Sequence, residues 1–258
     1  MTFFMERTSN TLAAIVLGIA LIVSTFVGAT YFLKAKRLGD TISVTGSTEK
    51  TVTSDTIKWT GNFTRQAGLD GLKQGSDQIK ADLKTVQDYL KSRGIDDKEM
   101  TVQPPTVTPT CEGQNPMGWD KFGNQNCGSN RTTGYTLQQT ITLESIKVDE
   151  VTKIAQDAQS AFADKGILFG SNNPEYYYSK LADLKLDMLE EATKNAQERA
   201  GRIVKSTGSA IGKLQSASMG VFQVTAVNST EVSDYGAYDT ATKEKKVTAI
   251  VRTTFSLN

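Results

Sequence analysis

Cys111 and Cys127 are the residues of this chain with the clearest chemical potential, because they are its only cysteines and they bound the stretch CEGQNPMGWDKFGNQNC. Gly, Asn and Pro crowd that stretch, and each favours turns for its own reason of backbone freedom, local hydrogen bonding or fixed φ. It reads as a loop, and two thiols at its ends can close it as a disulfide. In the chain-entropy account a bridge over such a loop stabilises by about 3 kcal/mol, and such bonds persist in oxidising compartments. The alternative is a metal pair, but zinc ordinarily takes four Cys or His ligands. No histidine occurs anywhere in the chain to complete such a set.

The missing histidine removes Ser-His-Asp and Cys-His catalysis and the usual general base near neutral pH. Acid–base work would fall to carboxylates or Lys, and none stands out. Asp96-Asp97 sits in a polar connector, where solvated surface is the ordinary role. Neither G-x-x-x-x-G-K-[ST] nor G-x-G-x-x-G appears. The expectation is a non-enzymatic protein with no catalytic, cofactor-binding or metal site. With 29 basic and 28 acidic residues, attraction to nucleic acid is not implied either.

The elements that must position these groups begin with Thr11 to Leu33 (TLAAIVLGIALIVSTFVGATYFL), which carries no charge. About 20 apolar helical residues cross a bilayer core, so the segment is long enough to span. A cleaved signal peptide is the competing reading, with Arg7 in the n-region, Leu12 to Val27 as h-region and a cleavage site at Val27-Gly28-Ala29. A retained anchor is expected, because the apolar run continues through Tyr31, Phe32 and Leu33. Tyr31 and Phe32 before Lys34, Lys36 and Arg37 read as an interfacial belt. Ala20, Ser24 and Gly28 form a small-residue stripe along which two such helices could approach. The expected boundaries are a tail over 1–10, an anchor over 11–33, a linker over 34–40 and a folded domain over 41–258. Three basic residues follow the span and only Arg7, offset by Glu6, precedes it, so charge bias alone would keep that domain in the cytoplasm. The cysteine pair argues for the opposite side.

Beyond the linker, Ile42, Val44 and Val52 among Thr and Ser suggest a strand, and Ile57, Trp59, Gly61 and Phe63 alternate as a second. Leu72, Ile79, Leu83, Val86 and Leu90 predict a helix closed at Gly94. Met100 to Thr110 holds Pro104, Pro105 and Pro109, which confines it to an edge strand or an extended arm and makes it a candidate surface for self-association. After the cysteine loop, Tyr135, Leu137, Ile141 and Leu143 predict a strand. Val151, Ile154, Ala155, Ala158 and Phe162 share the face of a second helix closed by Gly166. A short strand, a turn at Asn172-Asn173-Pro174 and the triplet Tyr176, Tyr177 and Tyr178 follow. The longest helix is expected from about Lys180 to Ser206, with Leu181, Leu184, Met188, Ala192, Ala196, Ala200 and Ile203 inward. Two strands close the chain, the last placing Val247, Ala249, Val251, Thr253, Phe255 and Leu257 on one side. The order ββαβ, loop, βαβαββ predicts an α+β domain: one mixed or antiparallel sheet carrying about three helices.

This order, together with TISVTGSTEKTVTSDTIKWTGNF at its start, EEATKNAQERAGRIVKSTGSAIGKLQSAS in the long helix and the strand after it, and VTAIVRTTFSL at its end, resembles the SIMPL-domain family of bacterial envelope proteins over about Thr41 to Asn258. Two departures are the apolar segment expected to be retained, where members commonly carry a cleavable signal, and the Cys111–Cys127 loop, which replaces a shorter connector. The resemblance implies an envelope protein without established catalytic activity. Some members form ring- or channel-like homo-oligomers and some are linked to oxidative-stress tolerance. The expectation is therefore a single-pass protein of the cytoplasmic membrane whose domain lies on the periplasmic side and self-associates. The alternative is a tethered binding module that takes an envelope protein or small ligand through Trp119, Phe122 and Tyr176 to Tyr178, although Tyr on strand faces is more often half-buried packing.

Overall fold

The computed structural model describes residues 3–37, 40–112, 118–119, 125–127 and 131–258, with side chains in the first helix described over 15–33. In chain order the elements are α1 (Phe3–Arg37), β1 (Thr41–Thr53), β2 (Thr56–Gly68), α2 (Leu72–Ser92), β3 (Met100–Val102), β4 (Thr106–Cys111), β5 (Gly118–Trp119), β6 (Gln125–Asn126) and β7 (Thr132–Ser145). There follow α3 (Val148–Ala163), β8 (Leu168–Ser171), β9 (Glu175–Tyr177), α4 (Leu181–Lys205), β10 (Ile211–Met219), β11 (Gln223–Ala226) and β12 (Glu244–Leu257). The class is α+β, as expected. Where one sheet was expected there are two larger sheets and a two-stranded ribbon of β5 and β6. The chain divides into two compact units, one of Met1–Glu49, Leu184–Phe222 and Thr248–Asn258, the other of Lys50–Asp183 and Gln223–Val247.

The second unit is built on β2 and β7, which pair antiparallel from Ile57↔Ser145 to Gly68↔Gly134. Period-two alternation turns Ile57, Trp59, Phe63, Leu137, Ile141 and Leu143 to one face, and α2 and α3 cover it. Their inward stripes, Ile79, Val86 and Leu90 on α2 and Val151, Ile154, Ala155, Ala158 and Phe162 on α3, repeat at helical spacing. Phe169 sits at the centre, its ring 5.9 Å from Trp59, 6.1 Å from Phe63 and 4.5 Å from Phe162. Gly61 makes room for it, since a Cβ there would overlap the Phe169 ring. Both helices end at glycines with positive φ, Gly94 at 82° and Gly166 at 69°, a conformation that costs Gly little.

The edges of this sheet are broken strands. β3 and β4 both pair with β7, and the break between them falls at Gln103-Pro104-Pro105. The proline-rich segment is thus an edge strand hydrogen-bonded on its inner side, rather than a free arm. β8 and β9 both pair with β2, interrupted at the Asn172-Asn173-Pro174 turn.

In the first unit β12 lies between β1 and β10. The helix α4 meets this sheet through small residues: Ala196 and Ala200 form a core with Val44 and Phe255. A Cβ on Gly46 would lie 2.5 Å from the Ala196 nitrogen and 2.7 Å from its Cβ, so β1 and α4 are as close as a residue without a side chain permits. Met188, Ala192, Ala196, Ala200 and Val204 form the buried stripe. Ile203, expected inward, is 52% exposed and Val204 takes its place, because the stripe advances in steps of four along its whole length. Three strands rather than two close the chain, and the inward series of β12 starts at Lys245, two residues before Val247.

The helix α1 begins at Phe3 and continues to Arg37, so helix covers most of the expected tail and part of the expected linker. Its stretch Ile15–Leu33 is long and apolar enough to cross a membrane, and none of it is buried.

Candidate functional site

Cys111 and Cys127 are bonded to each other, with Cα atoms 5.4 Å apart. Cys111 ends β4 opposite Thr132 of β7, so the bridge ties the loop to the edge of the larger sheet. Cys127 is buried, and the Thr132 hydroxyl donates to its sulfur at 3.4 Å.

A polar recess of the second unit, about 600 Å³, opens where the corner at residues 53–56 meets the start of α3, Ser179 and Lys243. Asp55 is held at this corner: its carboxylate accepts the Ser179 N–H at 2.8 Å, the Ser179 hydroxyl at 2.7 Å and the Thr56 hydroxyl at 3.2 Å. Burial works against ionisation, but these hydrogen bonds outweigh it and keep the Asp55 carboxyl below its ordinary value. Lys243 donates to Asp149 at 2.6 Å, which raises its own pKa. Ile146 is 80% exposed at the rim, and the buried Ser54 hydroxyl has no hydrogen-bond partner among the described residues.

Two polar clamps shape the irregular chain between β11 and β12. The Gln223 side-chain oxygen accepts N–H bonds from Ser233 and Ala237, and its amide nitrogen donates to the Ser233 carbonyl. Lys245 is buried on every side; its ammonium donates to the carbonyls of Thr242 at 2.6 Å and Asp239 at 2.7 Å, and lies 3.4 Å from the Asp239 carboxylate. Burial lowers the Lys245 pKa against the pull of Asp239. Sequence reasoning missed this lysine. The signal was there, since β12 alternation extended back from Val247 puts position 245 inside.

The hydroxyl–carboxylate pairs of the structure act as struts. Glu99 accepts the Ser145 hydroxyl at 2.5 Å and Lys147 at 3.1 Å, and Asp239 accepts the Thr242 hydroxyl. Burial opposes ionisation of Glu99 and Asp239, yet their hydrogen bonds prevail and lower both pKa values, which makes each a weak proton acceptor at neutral pH. Among the described residues no group of three or more Cys, Asp or Glu is arranged to hold a metal ion.

The other sequence-derived candidates are dispersed. Ala20, Ser24 and Gly28 lie on the exposed surface of α1, where a Cβ on Gly28 would touch nothing within 4 Å. Pro104 and Pro105 occupy the break in the edge strand, and Pro109 pairs opposite Tyr135. Phe122 lies outside the described residues, as does the side chain of Trp119, whose backbone belongs to β5. The tyrosine triplet is half-buried: Tyr176 packs on the larger core with its hydroxyl 3.1 Å from that of Thr152, and the Tyr177 hydroxyl donates to Glu175 at 2.8 Å.

No curated protein matches the chain. The SIMPL family, described as protein of unknown function (DUF541), matches residues 42–255, from the second residue of β1 to the core phenylalanine of β12. That span holds both sheets, both cores and the disulfide, and the chain belongs to the SIMPL family.

Proposed function

We propose that this chain is a non-enzymatic envelope protein, anchored in the cytoplasmic membrane by α1, with its folded part on the periplasmic side and self-associating there. The observation that carries the reading is the uncharged, wholly exposed helix Ile15–Leu33 on a chain whose only cysteines form a disulfide. An apolar helix with nothing packed on it is stable in lipid, where its backbone is satisfied internally. A disulfide persists where the compartment is oxidising. Together these favour the periplasmic side over the cytoplasmic one suggested by the basic residues after the span.

Self-association is supported by the edge formed by β3 and β4, where Val102 and Val107 are exposed and no described strand pairs on the outer side. Such edges are ordinarily charged, covered or matched by another chain. A second copy would cover it and give a closed symmetric assembly.

Protease added to spheroplasts tests the topology: the folded part should be degraded while cytoplasmic markers survive, and protection of the folded part would overturn the placement. Light scattering of the full chain in detergent tests assembly. A defined oligomer that shrinks when Val102 and Val107 are both replaced by Lys supports it, and a monomer refutes it.

A further inference from the structure

A second cleft, of about 280 Å³, lies within the second unit between α3 and the turn that joins β8 to β9. Its lining contains no charged side chain, in a protein of which 22% of residues are charged. Thr152, Gln156 and Gln159 come from one face of α3 at spacings of four and three. Asn172, Asn173 and Tyr176 come from the turn and the strand after it.

The groups at the base are already committed. The Ser171 hydroxyl donates to the Ala155 carbonyl at 2.7 Å and lies 3.1 Å from the Trp59 indole N–H, which donates to it. The Thr152 hydroxyl donates to the Val148 carbonyl at 2.7 Å and meets the Tyr176 hydroxyl at 3.1 Å. These bonds fix helix and turn relative to each other, so the cleft is formed before anything enters it. At the rim the position is reversed: the side-chain amides of Gln156, Gln159, Asn172 and Asn173 are exposed and make no hydrogen bond to any described residue.

The geometry points to a binding site for a neutral polyhydroxylated ligand, a saccharide ring. Each free amide offers two N–H donors and one carbonyl acceptor, the combination that adjacent sugar hydroxyls, themselves donor and acceptor, can satisfy. A charged ligand would lose hydration here without a countercharge to replace it. The volume lies just below the usual range of small-ligand pockets, about 300 to 1,000 Å³, and so suits no more than a single ring with the rest of a glycan outside. Peptide capture usually needs an open strand edge or a groove with side-chain pockets. This cleft is short and polar. The backbone of helix and turn is already ordered, so binding immobilises only the Gln and Asn side chains that make the contacts. The inference does not depend on whether the protein self-associates.

The test uses the full chain in phosphatidylcholine nanodiscs prepared without glycoside detergents, titrated with cellobiose and with N,N′-diacetylchitobiose, and separately with trialanine blocked at both termini (N-acetyl, C-amide) as an uncharged peptide. Saturation-transfer NMR reads the binding and thermal melting reads the fold. Saturable binding of at least one disaccharide is expected, weakened about tenfold by the exposed pair Gln156→Ala and Asn173→Ala, with melting unchanged. Lys153→Ala, on α3 but outside the cleft, should leave the affinity as it is. Absence of saturation at about 50 mM, where millimolar affinities would be evident, overturns the inference. So does equal binding by the double variant, or binding of trialanine in preference to both sugars.

Discussion

Arg65 of β2 and Asp82 of α2 meet in a two-pronged ion pair, with Nε to Oδ2 at 2.5 Å and Nη2 to Oδ1 at 2.8 Å. Asp82 is 7% exposed in the middle of the stripe that otherwise carries Ile79, Val86 and Leu90. The hydrogen bond to Asp82 raises the Arg65 pKa, while partial burial opposes it. A carboxylate in an apolar stripe is tolerable because the guanidinium fork satisfies both of its oxygens. Asp82→Ala leaves Arg65 without its partner and should cost about 3 kcal/mol in urea unfolding. Replacing both, Arg65→Met with Asp82→Leu, should cost clearly less, because no unpaired charge remains. A double variant no more stable than the single one would count against this account.

The contact between β1 and α4 makes a sharper expectation about size. Ala196 is fully buried, and Gly46 faces it at a distance that admits no side chain. Ala196→Leu should lower stability by about 1 to 3 kcal/mol through overpacking, and Gly46→Ala should fall in the same range. Lys194→Leu, on the exposed side of α4, should stay within about 0.5 kcal/mol of the parent. Equal effects at 194 and 196 in thermal melting would mean that the packed face is misassigned.

The disulfide spans a sequence separation of 16, for which loop-closure entropy predicts about 3 kcal/mol of stabilisation. Mass spectrometry of unreduced protein from native membranes should find the Cys111 and Cys127 peptides linked. Reduction should lower the unfolding midpoint by a corresponding amount. Two free thiols in that preparation would defeat the periplasmic assignment as well.

Acid should weaken the fold in a defined direction. Asp55, Glu99 and Asp239 all have depressed pKa values in the folded state, so the unfolded chain binds more protons than the folded one as pH falls. Their contribution is complete above the ordinary carboxylate range and is lost as pH drops through the folded values. The urea midpoint should therefore be higher at about pH 7 than at about pH 3. Glu99→Gln should flatten part of that slope, since it removes the titratable carboxylate that the hydrogen bonds from Ser145 and Lys147 hold ionised.

Lys245 acts with the same sign but in a more alkaline window. Its lowered pKa means that the unfolded chain holds this proton more tightly, so stability attributable to the group rises with pH between its folded value and its ordinary value near the alkaline end. Lys245→Met keeps the length and removes the charge, but it leaves the Thr242 and Asp239 carbonyls without their donor. Hydrogen exchange at 239–244 should then speed up by about tenfold or more, reflecting loss of a clamp rather than of the whole fold.

The sequence by itself determined what depends on local periodicity. The spanning length of α1, the alternation of β2, β7 and β12, the inner faces of α2 and α3, and the glycine stops at Gly94 and Gly166 are all set by the repeat of a strand or helix and by the φ that Gly alone adopts cheaply. The pairing of the only two cysteines across one loop was legible for the same reason of proximity along the chain. Tertiary structure decided the rest. Only strand pairing sent the consecutive strands β1 and β2 into different sheets, β1 beside β12 and β2 beside β7. Only packing made Asp82 and Lys245 buried charges, gave Gly46 its contact with α4, and joined the amides of Gln156 and Asn173 across one cleft. Those relationships join residues far apart in the chain, and the free energy of a buried charge or an unpaired amide depends on the partner brought to it, which no local pattern encodes.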